Sequence, residues 1–183
     1  MALEEKKLSL HATTVIAVRK DGKTAIGSDG QVTLGSQILK HGAKKIRRLH
    51  KGTVLVGFAG GAADGLALME RLESKLEEHR GNLARASVEL AKEWRTDRYL
   101  RRLEAVLIAC DKESMFLLSG NGDVIEPDEP ILATGSGGDF ARSAAKALYY
   151  HTDKSAEDIV KISLDIASDI CVYTNKHFSI EVL

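Results

Sequence analysis

The sequence predicts an α+β fold in which two antiparallel sheets are each covered by a pair of helices. The hydrophobic patterns follow one another along the chain as strands, two helices, strands and two helices. Few strand–helix–strand crossovers occur, which disfavours a doubly wound parallel sheet. The early strands are apolar at consecutive positions, as expected when both faces of a sheet are buried. At 183 residues, the chain has the length of about one domain.

The first half of the chain opens with strands. Two apolar segments, residues 13–18 and 24–28, flank Asp21-Gly22, a dipeptide typical of a tight hairpin turn. Two further strands are predicted at residues 44–49 and 53–59. These four segments are therefore predicted to supply the first strands of the sheets.

Two helices are predicted next. Apolar residues recur at helical spacing from Ala62 to Leu76, and Gly81 is expected to stop this helix. Asn82 can cap a second helix, whose apolar face runs to Trp94.

The second half repeats the order of strands and then helices. Its predicted elements are strands at residues 105–110, 115–119 and 131–134, a helix at 139–150, a helix that begins with the capping box Ser155-x-x-Asp158, and a last strand at 178–183.

Composition limits the classes of function. The chain is 44% hydrophobic and 28% charged, with 26 basic and 26 acidic residues, so no global field attracts nucleic acid or an anionic membrane. Arginines cluster between Arg95 and Arg102, where a solvated helix end or a subunit contact is favoured over a nucleic-acid patch because no binding motif accompanies them. Cys110 and Cys171 are predicted to be buried free thiols. The N-terminus lacks a signal peptide pattern, and no run is long enough to span a bilayer, so a cytoplasmic protein is expected.

The pair Thr13-Thr14 at the head of the first strand carries the chemical hypothesis. A threonine hydroxyl is a poor nucleophile at neutral pH and needs a base beside it. A threonine at a mature N-terminus supplies that base itself, because the unperturbed pKa of an α-amine is roughly 7.7–8.0. Residues 1–12 would then be a leader that is removed first. Locally, the two threonines are equivalent candidates.

Three later features complete this hypothesis. The glycines of Gly60-Gly61 open a helix and can present main-chain N–H groups at the positive end of its dipole, which suits an oxyanion site. Lys45 can hold the hydroxyl and depress the pKa of the amine by charge repulsion. A buried Asp29 would keep that lysine charged and oriented. Each feature alone has an ordinary structural explanation, and the combination favours catalysis.

Eight motifs cover nearly everything from Thr13 to the C-terminus. They are Thr13-Thr14-Val15-Ile16-Ala17-Val18-Arg19, Ser28-Asp29-Gly30-Gln31-Val32-Thr33-Leu34-Gly35, Lys44-Lys45-Ile46-Arg47-Arg48-Leu49, Gly57-Phe58-Ala59-Gly60-Gly61, Glu89-Leu90-Ala91-Lys92-Glu93-Trp94-Arg95-Thr96-Asp97-Arg98, Gly120-Asn121-Gly122-Asp123, Gly135-Ser136-Gly137-Gly138 and Asp165-Ile166-Ala167-Ser168-Asp169-Ile170-Cys171. The chain therefore resembles the HslV (ClpQ) family of bacterial peptidases, which are related to proteasome β subunits and belong to the N-terminal-nucleophile hydrolases. The run from Trp94 to Arg98 is particularly specific, because general proteasome subunits lack it.

The resemblance implies a fold, an activity and a set of site residues. The implied fold is the four-layer αββα sandwich of the N-terminal-nucleophile hydrolases, with residues 13–183 as a single peptidase domain. The implied activity is a threonine endopeptidase, and the alignment selects Thr13 over Thr14. The implied roles are Thr13 as nucleophile with its freed amine as base, Lys45 as electrostatic partner, Asp29 as the carboxylate of that lysine, the Gly60 N–H as oxyanion donor, and Ser136 and Asp169 as supporting polar groups near the amine.

The resemblance also implies a cation and partners. Carbonyl oxygens of Ser168, Cys171 and Thr174 match the positions at which the family binds a monovalent cation, expected to be Na⁺. The implied assembly is a double-ring dodecamer that receives unfolded polypeptides from a hexameric AAA+ ATPase of the HslU type and is allosterically coupled to it. No nucleotide site is expected in this chain, because ATP is used by the partner. The leader ends in His11-Ala12 and is too long for simple methionine removal, so autocatalytic processing is expected, with another base such as water in the first cut.

Two other functions remain open from the residues. A small-molecule amidase could use the same nucleophile without any partner. A non-catalytic ring subunit would have no need of Thr13, Lys45 and Asp29 together. A phosphate-loop interpretation of residues 135–138 is disfavoured, because no Gly-Lys-Ser/Thr follows.

Overall fold

The polypeptide forms twelve strands and four α-helices within the part of the chain that the computed structural model describes, residues 10–11, 13–119 and 121–183. The strands are β1 (Leu10–His11), β2 (Thr14–Lys20), β3 (Lys23–Ser28), β4 (Val32–Leu34), β5 (Gln37–Lys40), β6 (Ile46–Leu49), β7 (Val54–Gly60), β8 (Ala105–Cys110), β9 (Met115–Ser119), β10 (Val124–Ile125), β11 (Ile131–Gly135) and β12 (Ser179–Val182). The helices are α1 (Ala62–Glu78), α2 (Leu83–Thr96), α3 (Gly138–His151) and α4 (Ala156–Ile170). The predicted leader, residues 1–12, lies outside the described residues except for the backbone of β1.

Two antiparallel sheets form the centre of the molecule. The four-stranded sheet has the order β11-β2-β3-β12, and the five-stranded sheet has the order β10-β9-β8-β7-β6. Strands β1, β4 and β5 form a third, small sheet of order β1-β4-β5, whose strands pair with none of the strands of the other two sheets.

Alternating side chains define the layers. In β2, Val15 and Ala17 pack against the other sheet, whereas Ile16 and Val18 pack against α3 and α4. Strand β7 shows the same alternation, with Leu55 between the sheets and its neighbours against α1 and α2. The predicted four-layer αββα arrangement is confirmed, and it explains the consecutive apolar residues of the early strands.

The local signals act as predicted. Strands β2 and β3 pair across Asp21-Gly22, where both residues have positive φ (52° and 74°) as this type of turn requires. The Asn82 side chain accepts a hydrogen bond from Arg85 N at 2.9 Å and caps α2. Helix α1 ends at Glu78, and Gly81, with φ of +82°, donates its N–H to Leu76 O at 2.7 Å.

Both cysteines are buried free thiols, as predicted. Among the described residues, no helix is long and apolar enough to cross a membrane.

Candidate active site

A buried ion pair lies where the end of β3 approaches the segment before β6. Lys45 Nζ is 3.3 Å from Asp29 Oδ1, and the two residues are 2% and 0% exposed. Lys45 Nζ also donates to the main-chain oxygen of Gln31 at 2.6 Å. Burial lowers the pKa of the Lys45 ammonium below its ordinary value, and the nearby Asp29 carboxylate opposes that shift. Lysine 45 is therefore held in place by two oxygens in a dry environment.

The Asp29 carboxylate is bonded on both oxygens. Oδ1 accepts the N–H of Thr14 at 2.8 Å in addition to Lys45. Oδ2 accepts the N–H groups of Gln31 at 2.8 Å and Asn175 at 3.3 Å. Three main-chain donors and one ammonium therefore hold this buried carboxylate in place.

Thr13 and Thr14 have different environments, although the sequence makes them locally equivalent. The Thr14 hydroxyl lies 2.8 Å from that of Thr174 and accepts the N–H of Gly137 at 3.0 Å. The Thr13 hydroxyl is buried and has no hydrogen-bond partner among the described residues. Of these two threonines, Thr13 is therefore the one whose hydroxyl is free for chemistry.

A loop and a glycine fix the main chain of Thr13. Its carbonyl oxygen accepts the N–H of Ser136 at 3.0 Å. A side chain at Gly135, whose φ is +91°, would bring its Cβ into a clash with that same oxygen, so only glycine fits there. Thr13 itself has a φ of +111°, a strained value for a β-branched residue.

Thr13, Lys45 and Gly60 line one cavity of about 430 Å³, which we call the first cavity. Its apolar walls include Val32, Phe58 and Leu66. Gly60 ends β7 with a φ of +113°, two residues before α1 begins. Main-chain N–H groups at this point lie near the positive end of the α1 dipole, where they can stabilise a developing oxyanion.

The remaining predicted residues occupy different surroundings. Ser136 adjoins Thr13 through its main chain, and its side chain is exposed. Asp169 is 62% exposed at the end of α4 and pairs with Lys176 Nζ at 2.8 Å. The described residues show no hydrogen bond between Asp169 and Thr13; the Asp169 carboxylate is paired with Lys176 instead.

The predicted cation ligands lie at the end of α4 and in the loop that follows it. Ser168 belongs to the last turn of α4. Main-chain oxygens in the last turn of a helix have no N–H donor from a following helical residue, unlike those in the helix interior. Cys171 and Thr174 follow the helix, and the Cys171 oxygen accepts the N–H of Thr174 at 3.0 Å. Carbonyl oxygens at the negative end of a helix dipole suit a hard monovalent cation. These main-chain oxygens are ligands of the type that a hard monovalent cation takes. In the described part of the chain, no group of three or more His, Cys, Asp or Glu side chains could hold a metal ion.

Four hydrogen bonds of the Gln31 and Asn175 side chains were not anticipated from the sequence. The Gln31 side chain donates to Val172 O and to Thr33 Oγ1, both at 3.0 Å. Asn175 accepts the N–H of Gly30 at 3.3 Å and donates to His41 O at 2.9 Å. Together with the Thr14–Thr174 contact, they join the loop after α4 to the residues around the ion pair. No spacing rule connects positions about 140 residues apart, so single-sequence reasoning had no signal for them.

Comparisons with known proteins agree with this geometry. A family model described as Proteasome subunit matches residues 9–183. The chain is 70% identical over 174 residues to the ATP-dependent protease subunit HslV of Aquifex aeolicus (strain VF5), covering 95% of this chain and 99% of the relative. It is 66% identical over 172 residues to the ATP-dependent protease subunit HslV of Sulfurihydrogenibium sp. (strain YO3AOP1), covering 94% and 97% of the two chains.

A solved structure shows the same fold. The crystal structure of eukaryotic HslV from Trypanosoma brucei superposes with a TM-score of 0.89 at 48% identity, over 93% of this chain and 98% of that chain. Sequence and fold therefore agree over nearly the whole length of the chain.

Proposed function

Because the chain belongs to the proteasome subunit family and, within it, to the HslV subunits of ATP-dependent proteases, we propose that it is a threonine endopeptidase that uses Thr13. The observation that carries this proposal is the contrast between two adjacent hydroxyls. Thr14 is held by Thr174 and Gly137, whereas the hydroxyl of Thr13 is unpartnered in a cavity shared with Lys45 and Gly60.

The first step is attack by Thr13 Oγ1 on a peptide carbonyl. Once residues 1–12 are gone, the freed α-amine of Thr13 takes the hydroxyl proton. The charge of Lys45 lowers the pKa of that amine by repulsion and stabilises the nascent alkoxide. Asp29 and the main-chain oxygen of Gln31 keep the ammonium in place.

The negative charge on the carbonyl oxygen is stabilised by the N–H of Gly60, which lies just before α1. The amine then gives its proton to the leaving nitrogen, and an ester to Thr13 remains. Water activated by the same amine hydrolyses this ester and restores the enzyme. Ser136 supports the site through its main-chain contact with Thr13, and Asp169 would need to reorient from Lys176 to take part.

Leader removal is the condition for this mechanism. In the precursor the nitrogen of Thr13 is an amide and cannot act as a base, so we propose an autocatalytic first cut with water as the base. The family's cation, which we take to be Na⁺ on the carbonyl oxygens of Ser168, Cys171 and Thr174, would stiffen the loop that positions Thr14 and Asp29.

We further propose the family's assembly for this chain. Two stacked six-membered rings would enclose the sites, and a hexameric HslU-type AAA+ ATPase would deliver unfolded polypeptide in the cytoplasm and stimulate hydrolysis. The family membership favours this role over a small-molecule amidase or a non-catalytic ring subunit.

Replacing Thr13 with alanine tests the nucleophile. The variant Thr13→Ala is expected to lose both peptide hydrolysis and leader removal, whereas Thr13→Ser keeps a hydroxyl and should keep part of both activities. Retained turnover by a clean Thr13→Ala preparation would overturn the assignment. Degradation of an unfolded protein that needs the ATPase and ATP would support the partner, and cleavage of a small amide without any stimulation would support the amidase instead.

A further inference from the structure

A second cavity lies on the other side of Gly60. It has a volume of about 540 Å³, and among the described residues Gly60 alone lines both it and the first cavity. Its other walls include Glu104, Val106, Ser119 and Thr134. Because Gly60 separates the two cavities, a carbonyl group bound to its N–H would lie between them.

The second cavity is the open end of the space between the two sheets. Val106 pairs with Ser119 across β8 and β9, and Thr134 pairs with Val15 across β11 and β2. Val15 faces the opposite sheet, so Thr134 faces the same space. Glu104 lies two residues before Val106 and so belongs to the same face of the chain, at the mouth of the cavity.

The leader shows on which side a substrate's preceding residues lie. Residues 10–11 come before the bond to be cut, and β1 pairs with β4 through Leu10–Leu34 and His11–Thr33. Strand β4 also contributes Val32 to the first cavity. Residues before the cleaved bond therefore lie along the first cavity, which leaves the second cavity for residues after that bond.

The two cavities carry opposite charge. The described charged residues that line the first cavity are all basic: Lys40, Lys44, Lys45 and Arg47. The single charged residue among those lining the second cavity in the described chain is Glu104. Its carboxylate has no ion pair or hydrogen bond with any described residue, while its main chain is fixed by Asp64 Oδ2 at 2.9 Å and by Gly61 N at 3.3 Å.

We propose that the second cavity receives the residue immediately after the cleaved bond, and that Glu104 selects lysine or arginine there. This inference rests on the proposed peptidase function and names a specificity-determining residue for it. Glu104 is exposed, so the preference is that of a solvated ion pair: about three- to fivefold in kcat/KM, and weaker at high salt.

The test uses the processed, assembled enzyme and three peptides that differ only in the residue after the cleaved bond, which is Lys, Gln or Glu. Mass spectrometry measures the rate of cleavage at that bond. The wild type should cleave the peptides in the order Lys, Gln, Glu. The variant Glu104→Gln should lose this order, and Glu104→Lys should reverse it. Glu77→Gln, the same change at an exposed position on α1, should keep the wild-type order.

A short peptide with a neutral fluorescent amide as leaving group separates the two proposals. Glu104→Gln should still hydrolyse it, which also shows that the variant is folded and processed. If the wild type hydrolyses this substrate but does not discriminate among the three peptides, or if Glu104→Gln leaves the order unchanged, the role of Glu104 is refuted and the peptidase stands. If the processed wild type hydrolyses none of the substrates with its ATPase present, the peptidase proposal itself fails.

Discussion

Replacing Asp29 with asparagine will destabilise the protein more than replacing Lys45 with methionine. Each oxygen of the Asp29 carboxylate accepts two donors: Thr14 N–H and Lys45 on Oδ1, and the N–H groups of Gln31 and Asn175 on Oδ2. Whichever way an asparagine amide is turned, its NH₂ group therefore faces two donors. If the NH₂ group replaces Oδ1, the Lys45 ammonium keeps one acceptor, Gln31 O.

The two free-energy changes differ in size for this reason. Removing one partner of a buried ion pair costs about 3–5 kcal/mol, and Asp29→Asn should lie at the upper end. Deprotonation limits the cost of the unpaired lysine: from an ordinary pKa of 10.5, neutralising it at pH 7 costs about 5 kcal/mol. Lys45→Met leaves the carboxylate with three N–H donors and should cost about 2 kcal/mol.

Urea unfolding measures the difference. Both changes are made in the Thr13→Ala background so that every variant keeps its leader, and all are compared at one protein concentration. Trp94, the chain's one tryptophan, is fully buried and reports global unfolding by its fluorescence. Glu181→Gln, which breaks the exposed Arg48–Glu181 pair, is the matched control and should change stability by less than about 1 kcal/mol. An Asp29→Asn midpoint equal to or above that of Lys45→Met would refute the reasoning.

Further predictions concern pH, the glycine beside Thr13, the α2 cap and the thiols. Burial lowers the pKa of Lys45 in the folded protein below 10.5, so at pH values between the folded and unfolded pKa the unfolded chain binds more protons. The stability contributed by Lys45 should therefore rise as pH approaches 10.5 and fall as pH decreases. The difference in unfolding free energy between wild type and Lys45→Met, measured against pH, checks this sign. Gly135→Ala should retain its leader, because the new Cβ clashes with Thr13 O and displaces the nucleophile. Gly42→Ala, where a Cβ meets nothing within 4 Å, should be processed normally. Intact mass distinguishes the two results. Asn82→Ala should lower stability by about 1 kcal/mol in urea, and no change would contradict the observed cap. Burial raises the pKa of Cys110 to about 12, so iodoacetamide should label it at pH 8 in denaturant and leave it unlabelled in the native protein.

Most of the fold could be predicted because its signals are local. The hairpin between β2 and β3 needs Asp21-Gly22, and α2 needs Asn82, so each can be recognised from neighbouring residues. Strands β4 and β5 were not predicted, because Val32–Leu34 has three residues and Gln37–Lys40 is exposed throughout. Neither strand shows the apolar alternation on which sequence-based assignment depends.

The sequence could suggest candidate site residues where the residue types themselves carry chemistry. In the structure Lys45 and Gly60 line one cavity with Thr13, and Asp29 pairs with Lys45; their catalytic roles stay predictions. The contacts of Gln31, Asn175 and Thr174 join segments that are distant in sequence, and only packing reveals them. The ion pair between Asp169 and Lys176 likewise depends on how the loop after α4 folds back. The position of Asp169 in its helix does not by itself predict its ion-pair partner.

The intact mass of the purified, assembled protein tests the central claim most directly, with Thr13→Ala measured beside it. A wild-type mass that begins at Thr13, together with a Thr13→Ala mass that retains residues 1–12, is the predicted result, because the threonine hydroxyl then creates its own free amine. A wild-type mass that retains the leader or begins at Thr14, or a Thr13→Ala protein that loses its leader in the same way, would contradict Thr13 as the self-processing nucleophile.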